Sequence, residues 1–131
     1  KPIHILGIGG IDDILHGVSS GYDTFDCVSP TRIARHGIMM SKLTNKGINL
    51  NNSKFKDDHS SIDEECEINE INKFSKSYIH HLFKANEILG MTILSIYNIW
   101  FMNKFFEEVR SSISEDRFEE YKSQILSNLV K

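Results

Sequence analysis

The residues best placed to do chemistry stand in one short run, Phe25 to Gly37, which reads FDCVSPTRIARHG. Asp26 sits in an apolar, strand-like stretch with Thr24, Phe25, Cys27 and Val28 around it, a setting that keeps a carboxylate poorly hydrated and aimed. Pro30 then fixes a turn, and Arg32 and Arg35 follow, three residues apart. A guanidinium donates two parallel hydrogen bonds to a base edge or a phosphate, so this pair can read a nucleic acid. Each feature also has a plainer explanation: a strand-end aspartate caps turns and helices, and surface arginines pair with acids.

A second group is the loop Gly7-Ile8-Gly9-Gly10-Ile11-Asp12-Asp13. Its glycines let a backbone come close to a ligand, although a strand-to-helix turn accounts for them equally well. Asp12 and Asp13 read first as helix-start residues.

These groups need elements to hold them. Ile3 to Leu6 is short, apolar and β-branched and stops at the glycines, which predicts a buried strand. A helix follows through Ile14, Leu15 and Val18 to about Gly21, then a strand from Tyr22 to Val28. Strand, helix, strand is a β/α crossover and implies a parallel pair. Ile38-Met39-Met40 and Ile48-Asn49-Leu50, separated by Thr44-Asn45-Lys46-Gly47, predict an antiparallel hairpin. Residues 57–72 read as an acidic, irregular connection. Phe74, Tyr78, Ile79, Leu82, Phe83, Ile88 and Leu89 recur at helical spacing until Gly90, which reads as the close of that helix. A longer helix is expected from Met91 to Ser112, so apolar on several sides that other parts of a protein should cover it. Ser114, with Glu115 and Asp116 behind it, reads as the N-cap of a last helix.

The net charge of −3 hides a division. Residues 27–56 hold six Lys or Arg and no acid, whereas residues 57–72 hold seven acids and no Lys or Arg. A local basic stretch can track phosphates even in an acidic chain, because charge acts over about a Debye length of ~8 Å; a solvated loop is the alternative. At 131 residues the chain fits one domain. No apolar run approaches the ~18 residues of a membrane span, so a soluble chain is expected. Its two cysteines, Cys27 and Cys66, are too few for a disulfide framework, and a reducing cytosol is the simpler setting. Beginning Lys1-Pro2-Ile3, with a strand-like run at once, the chain reads as a piece of something longer.

Taken together, HILGIGGIDDI, GYDTFDCVSPTRIARHG, INLNNSKFKDD, SKSYIHHLFKANEILGM and SISEDRF resemble, in order and spacing, the C-terminal third of a bacterial-type tRNA-guanine transglycosylase, or queuine tRNA-ribosyltransferase. The resemblance implies an α/β fold: the C-terminal segment of a TIM-type (β/α)8 barrel, comprising its last two strands, a small antiparallel β insertion and C-terminal helices. Residues 1–36 would be the last two β/α units, 37–90 the insertion that carries zinc in the family, and 91–131 the helices.

The implied activity is exchange of the wobble guanine of tRNA for a 7-deazaguanine base, queuine or its precursor, through a covalent aspartyl-ribose intermediate. Asp26 takes the nucleophile's place. Gly7, Ile8, Gly9, Gly10, Ile11, Asp12, Asp13, Thr31, Arg32, Ile33, Ala34 and Arg35 take the RNA-contact places, and Leu6 and Gly7 border the base pocket. The implied partners are a tRNA anticodon loop, the deazaguanine base and a second subunit in a homodimer, with no membrane. The base-recognising carboxylates of the family lie outside these residues, so the isolated chain is expected to be inactive. The alternative is a non-catalytic tRNA-binding or subunit-partner module on the same scaffold.

One motif departs from the family. Its zinc set is Cys-x-Cys-x-x-Cys with a His about 25 residues on. Here Cys66 fills the first place, Ile68 the second, Ile71 the third and Tyr97 the last. Apolar packing is expected there and no zinc cofactor. His80 and His81 are read as helix residues rather than substitute ligands.

Overall fold

A computed structural model describes residues 1–130. Strand β1 (His4–Leu6) pairs in parallel with β2 (Thr24–Asp26), His4 opposite Thr24 and Leu6 opposite Asp26, and helix α1 (Ile11–Ser19) connects them. The expected crossover is present, but β1 is not the buried strand expected: with β2 as its one neighbour among the described residues, His4 and Leu6 are exposed and Ile5 is half-buried. The helix ends close to Gly21, as expected, and the second strand is shorter at both ends than the Tyr22 to Val28 run implied. Helix α1 stops at Ser19 because the Tyr22 amide turns back to the Gly17 carbonyl (3.0 Å), with Gly21 at φ 92°. The strand stops at Asp26 because Ser29 N–H takes the Cys27 sulfur as its acceptor (3.3 Å).

The turn expected at Pro30 is a helix, α2 (Ser29–Ala34), with the proline in its first turn, where its fixed φ and missing N–H are no handicap. The hairpin is present as β3 (Ile38–Met39) and β4 (Ile48–Asn49), antiparallel, Ile38 opposite Asn49. Residues 57–72 are mostly irregular. A short 3-10 turn (Ser53–Phe55) precedes them and α3 (Asn69–Asn72) ends them. Their acids are used locally: Asp58 Oδ1 accepts from the Ser60 amide (3.0 Å), and Asp63 Oδ1 from the Glu65 amide (3.0 Å).

Helix α4 (Lys76–Lys84) opens on Ser75, whose hydroxyl accepts from the Tyr78 amide at 3.1 Å. It does not run to Gly90. The break falls at Asn86, left-handed at φ 57°, and Gly90 lies in the first turn of α5 (Ile88–Ser114). A Cβ on Gly90 would stand 3.1–3.2 Å from Phe83 and Leu82 side-chain atoms, so this glycine serves the close approach of α4 and α5. Ile88 and Leu89 accordingly belong to α5, where they are exposed. Ser114 is not an N-cap; it ends α5, Asp116 is left-handed at φ 54°, and α6 (Phe118–Asn128) starts after Arg117. That turn closes through Arg117 N–H to the Ser112 carbonyl at 2.9 Å.

A single apolar cluster joins every one of these elements except β1, from Ile11, Ile14 and Leu15 of α1 through Met39, Leu50, Ile62 and Ile71 to Ile93, Leu94, Phe105 and Ile125. Helix α5 is its spine and packs most extensively on α2. Among the described residues, no helix is long and apolar enough to cross a membrane.

Candidate functional site

Parallel pairing puts the C-terminal ends of β1 and β2 side by side. Gly7 N–H donates to the Asp26 carbonyl at 2.8 Å, and Asp26 Oδ1 lies 3.4 Å from the same nitrogen. Gly7 has φ 73° with open space around it, so its backbone conformation, not crowding, calls for glycine. Asp26, Leu6 and Gly7 are all exposed, so the carboxylate is free to meet a ligand and does not have the poorly hydrated setting expected from its apolar neighbours, of which Val28 is itself exposed. Gly9 has a different reason to be glycine: a Cβ there would stand 2.6 Å from the Cys27 sulfur, so the loop lies directly against the residue after Asp26.

Within Gly7 to Asp13, Ile11 turns into the core, Ile8 is half-buried, and Asp12 accepts from the Asp13 amide at 2.8 Å as the helix starts. Of this loop, Gly7 and Asp13 are exposed, and Gly9 and Gly10 are half-buried. On α2, Ala34 is fully buried against the core and Ile33 packs on it, while Thr31 Oγ1 donates to the Val28 carbonyl at 3.3 Å. Arg32 and Arg35 point to solvent, and among the described residues neither makes an ion pair. Arg32 lies in α2 and Arg35 is its C-cap residue, still in helical conformation and about one turn on, so the two fall on the same side. Asp26 and the Gly7 turn occupy one end of the parallel pair, and α2, which carries Arg32 and is capped by Arg35, starts three residues after Asp26. The hairpin lysine Lys42, by contrast, is spent on Glu108 at 2.6 Å, and Glu108 also accepts from Tyr121 O–H at 2.7 Å.

The sequence reading passed over Asn98. It is wholly buried in α5, and its amide reaches the Pro30 carbonyl of α2 at 2.9 Å. A lone amide inside the apolar run ILSIYNIWF was the signal available.

The four zinc positions lie inside the fold. Cys66, Ile71 and Tyr97 are buried, and Ile68 packs on the core. Tyr97 O–H donates to Asp63 Oδ2 at 2.8 Å and lies 3.5 Å from the Met40 carbonyl. Burial, helped by the neighbouring Asp63 charge, pushes its phenol well above the usual range, and burial also pushes the Cys66 thiol up. Two isoleucines offer no lone pair, and a phenol already bound to a carboxylate is a poor replacement for imidazole. The donor set therefore does not fit tetrahedral zinc. Among the described residues, no three His, Cys, Asp or Glu side chains converge as a metal-binding group. His80 is buried, with Nδ1 against the Leu50 carbonyl at 2.7 Å, and His81 is exposed.

The family model described as queuine tRNA-ribosyltransferase matches residues 1–131. Among curated relatives, the queuine tRNA-ribosyltransferase of Dictyoglomus turgidum is 40% identical over 131 residues, covering 100% of this chain and 33% of the relative. That of Clostridium acetobutylicum is 44% identical over 126 residues (96% and 33%), and that of Chromobacterium violaceum 39% over 131 (100% and 35%). The chain spans about one third of the length of the curated relatives it matches.

Proposed function

The chain belongs to the queuine tRNA-ribosyltransferase family, and on that premise we propose that it is the C-terminal segment of a tRNA-guanine transglycosylase, with Asp26 as the nucleophile. The observation that carries the reading is the shared end of β1 and β2, where the exposed Asp26 carboxylate lies beside the Gly7 turn, with α2, which carries the exposed Arg32, beginning three residues further on. Barrel enzymes work at the C-terminal ends of their strands. Strands β1 and β2 are then the seventh and eighth, residues 37–90 the insertion and 91–131 the closing helices. In support, neither strand has a second neighbour among the described residues, and α5 leaves Ile96, Ile99 and Ile113 uncovered at helical spacing.

In this mechanism the wobble nucleotide is turned out of the anticodon stack, its neighbours held by Arg32 and Arg35. An Asp26 oxygen bonds to ribose C1′ as the glycosidic C–N bond breaks, and guanine leaves with a proton taken up on nitrogen. The incoming 7-deazaguanine base, queuine or its precursor, loses a proton and displaces the carboxylate. Two displacements at C1′ give retention and leave the strand intact. The Gly7 to Asp13 loop lines the RNA path, and Leu6 and Gly7 border the base. The full-length protein works as a cytosolic homodimer, a setting in keeping with the two free cysteines.

The replaced zinc set favours a second reading, a non-catalytic tRNA-binding or partner subunit. Asp26→Asn in the full-length protein separates the two. The enzyme reading expects loss of the denaturation-stable RNA adduct and a fall in labelled-guanine exchange of more than about a thousandfold. Unchanged exchange overturns it. The 131-residue piece alone is expected to show no exchange.

A further inference from the structure

Helix α2 is six residues long, too short to hold an orientation by its own hydrogen bonds. Among the described residues, no ion pair fixes Arg32 or the C-cap residue Arg35. Ala34 and Ile33 seat α2 on the core, but apolar packing is not directional, so a hydrogen-bonding group is needed to set its register and where the arginines stand relative to Asp26.

Asn98 is placed to do so. Its oxygen accepts from the Met40 amide at 2.8 Å, and its nitrogen donates to the Pro30 carbonyl at 2.9 Å and the Ile38 carbonyl at 3.1 Å. The orientation of the amide is unambiguous, because a backbone N–H only donates and the two carbonyls only accept. Both donors and one acceptor site are used, with no solvent access. Pro30 lies between Asp26 and Arg32 in the chain, and Ile38 and Met40 lie beyond Arg35. One side chain, delivered from α5, thus grips the segment on both sides of the arginines. A buried amide with every group satisfied specifies one arrangement where an apolar residue would allow several.

We propose that Asn98 is a positioning residue for tRNA recognition: it fixes α2 so that Arg32 and Arg35 stand at a set distance from Asp26. This rests on the reading of those arginines as tRNA contacts. Loss of the amide then weakens RNA reading more than it weakens turnover or base binding. Asn98→Asp keeps the shape and the acceptor but sets an oxygen against two carbonyl oxygens. Asn98→Ala removes the grip altogether.

The test uses the full-length protein and tRNA stem-loops differing at the bases beside the wobble position. Both variants are expected to raise KM for tRNA at least about tenfold and to flatten discrimination among the stem-loops, with KM for the free base within about twofold. Tyr97→Phe is the control. It too loses a buried hydrogen bond from α5, to Asp63 rather than to α2, and should leave discrimination unchanged.

Asn98 variants that discriminate like wild type overturn the proposal. So do variants that cannot be recovered folded, which would make the residue purely structural. Wild-type exchange is measured alongside. Its absence overturns the transglycosylase reading, whereas normal wild-type exchange with unaltered discrimination in Asn98→Ala overturns only the positioning role.

Discussion

Tyr97→Phe tests whether the insertion is held by hydrogen bonding and apolar packing in place of metal. The substitution keeps the ring, and with it the contacts to Trp100 and Phe101 at centroid distances of 5.8 and 6.2 Å. What is lost is the 2.8 Å hydrogen bond to Asp63, which ties the acidic connection to α5. A hydrogen bond to a charged acceptor contributes about 1.5–3 kcal/mol net. Asp63 is half-buried and its other oxygen keeps the Glu65 amide, so the lower end applies, about 1.5–2 kcal/mol. If the segment opens locally, that loss speeds hydrogen exchange of the amides in 57–72 by about ten- to thirtyfold. Mass spectrometry of peptides from the full-length protein reads the change. In parallel, wild-type protein treated with a strong chelator should exchange over 57–72 within about twofold of the untreated rate. The reasoning is refuted by the opposite pair of results: exchange unchanged in Tyr97→Phe, and wild-type exchange accelerated by chelator with release of stoichiometric zinc.

Arg32→Ala or Arg35→Ala should raise KM for tRNA by about five- to a hundredfold, the range for losing one bidentate contact, while Arg35→Lys keeps the salt dependence but loses selectivity. Steady-state kinetics at two ionic strengths separates charge from fork geometry. Iodoacetamide should label Cys27 well before Cys66, because Cys66 is buried and burial holds its thiol protonated; peptide mapping over a time course reads the order. Above about pH 10 the thermal midpoint should fall as pH rises. Burial, and the carboxylates of Asp63 and Glu108, keep Tyr97 and Tyr121 protonated in the fold. The unfolded chain releases those protons near the ordinary phenol value, so this contribution is complete below that pH and lost above it. Tyr97→Phe should flatten part of the alkaline limb.

The sequence carried the β/α crossover, the hairpin and the irregular acidic connection because local chemistry decides each of them. Short β-branched runs ending at glycine, the turn-prone Thr44 to Gly47, and acids without apolar periodicity leave few alternatives. It misplaced the α4–α5 boundary because a glycine can end a helix or admit a neighbouring one. Gly90 does the second, which depends on where Phe83 and Leu82 come to lie. Asn86 ends the helix with a left-handed conformation that asparagine tolerates better than most residues. Ser114 misled in the same way, since a good capping residue yields to a helix whose buried side continues through Val109 and Ser112. At the site, Asp26 and the two arginines were legible as residue types in a short run. That Asp26 stands beside Gly7 at one end of a parallel pair was legible only through the pairing.

Asn98 was invisible for a deeper reason, since its partners lie 58 to 68 residues away in the chain. Its neighbour Tyr97 shows how the two halves of the chain are joined. Successive helix residues point about 100° apart, so one turn of α5 can serve two directions. Tyr97 reaches the acidic connection through Asp63, and Asn98 reaches α2 through Pro30, while both touch the hairpin at Met40. The position that holds a zinc-ligating histidine in the family is thus adjacent to the amide proposed to set the arginines. Replacing the metal set need not loosen RNA reading, provided that the residue at 97 still anchors the insertion to the same turn of the helix. Tyr97 does so with a single hydroxyl, which is why removing that hydroxyl should open residues 57–72 and leave the arginines of α2 where Asn98 holds them.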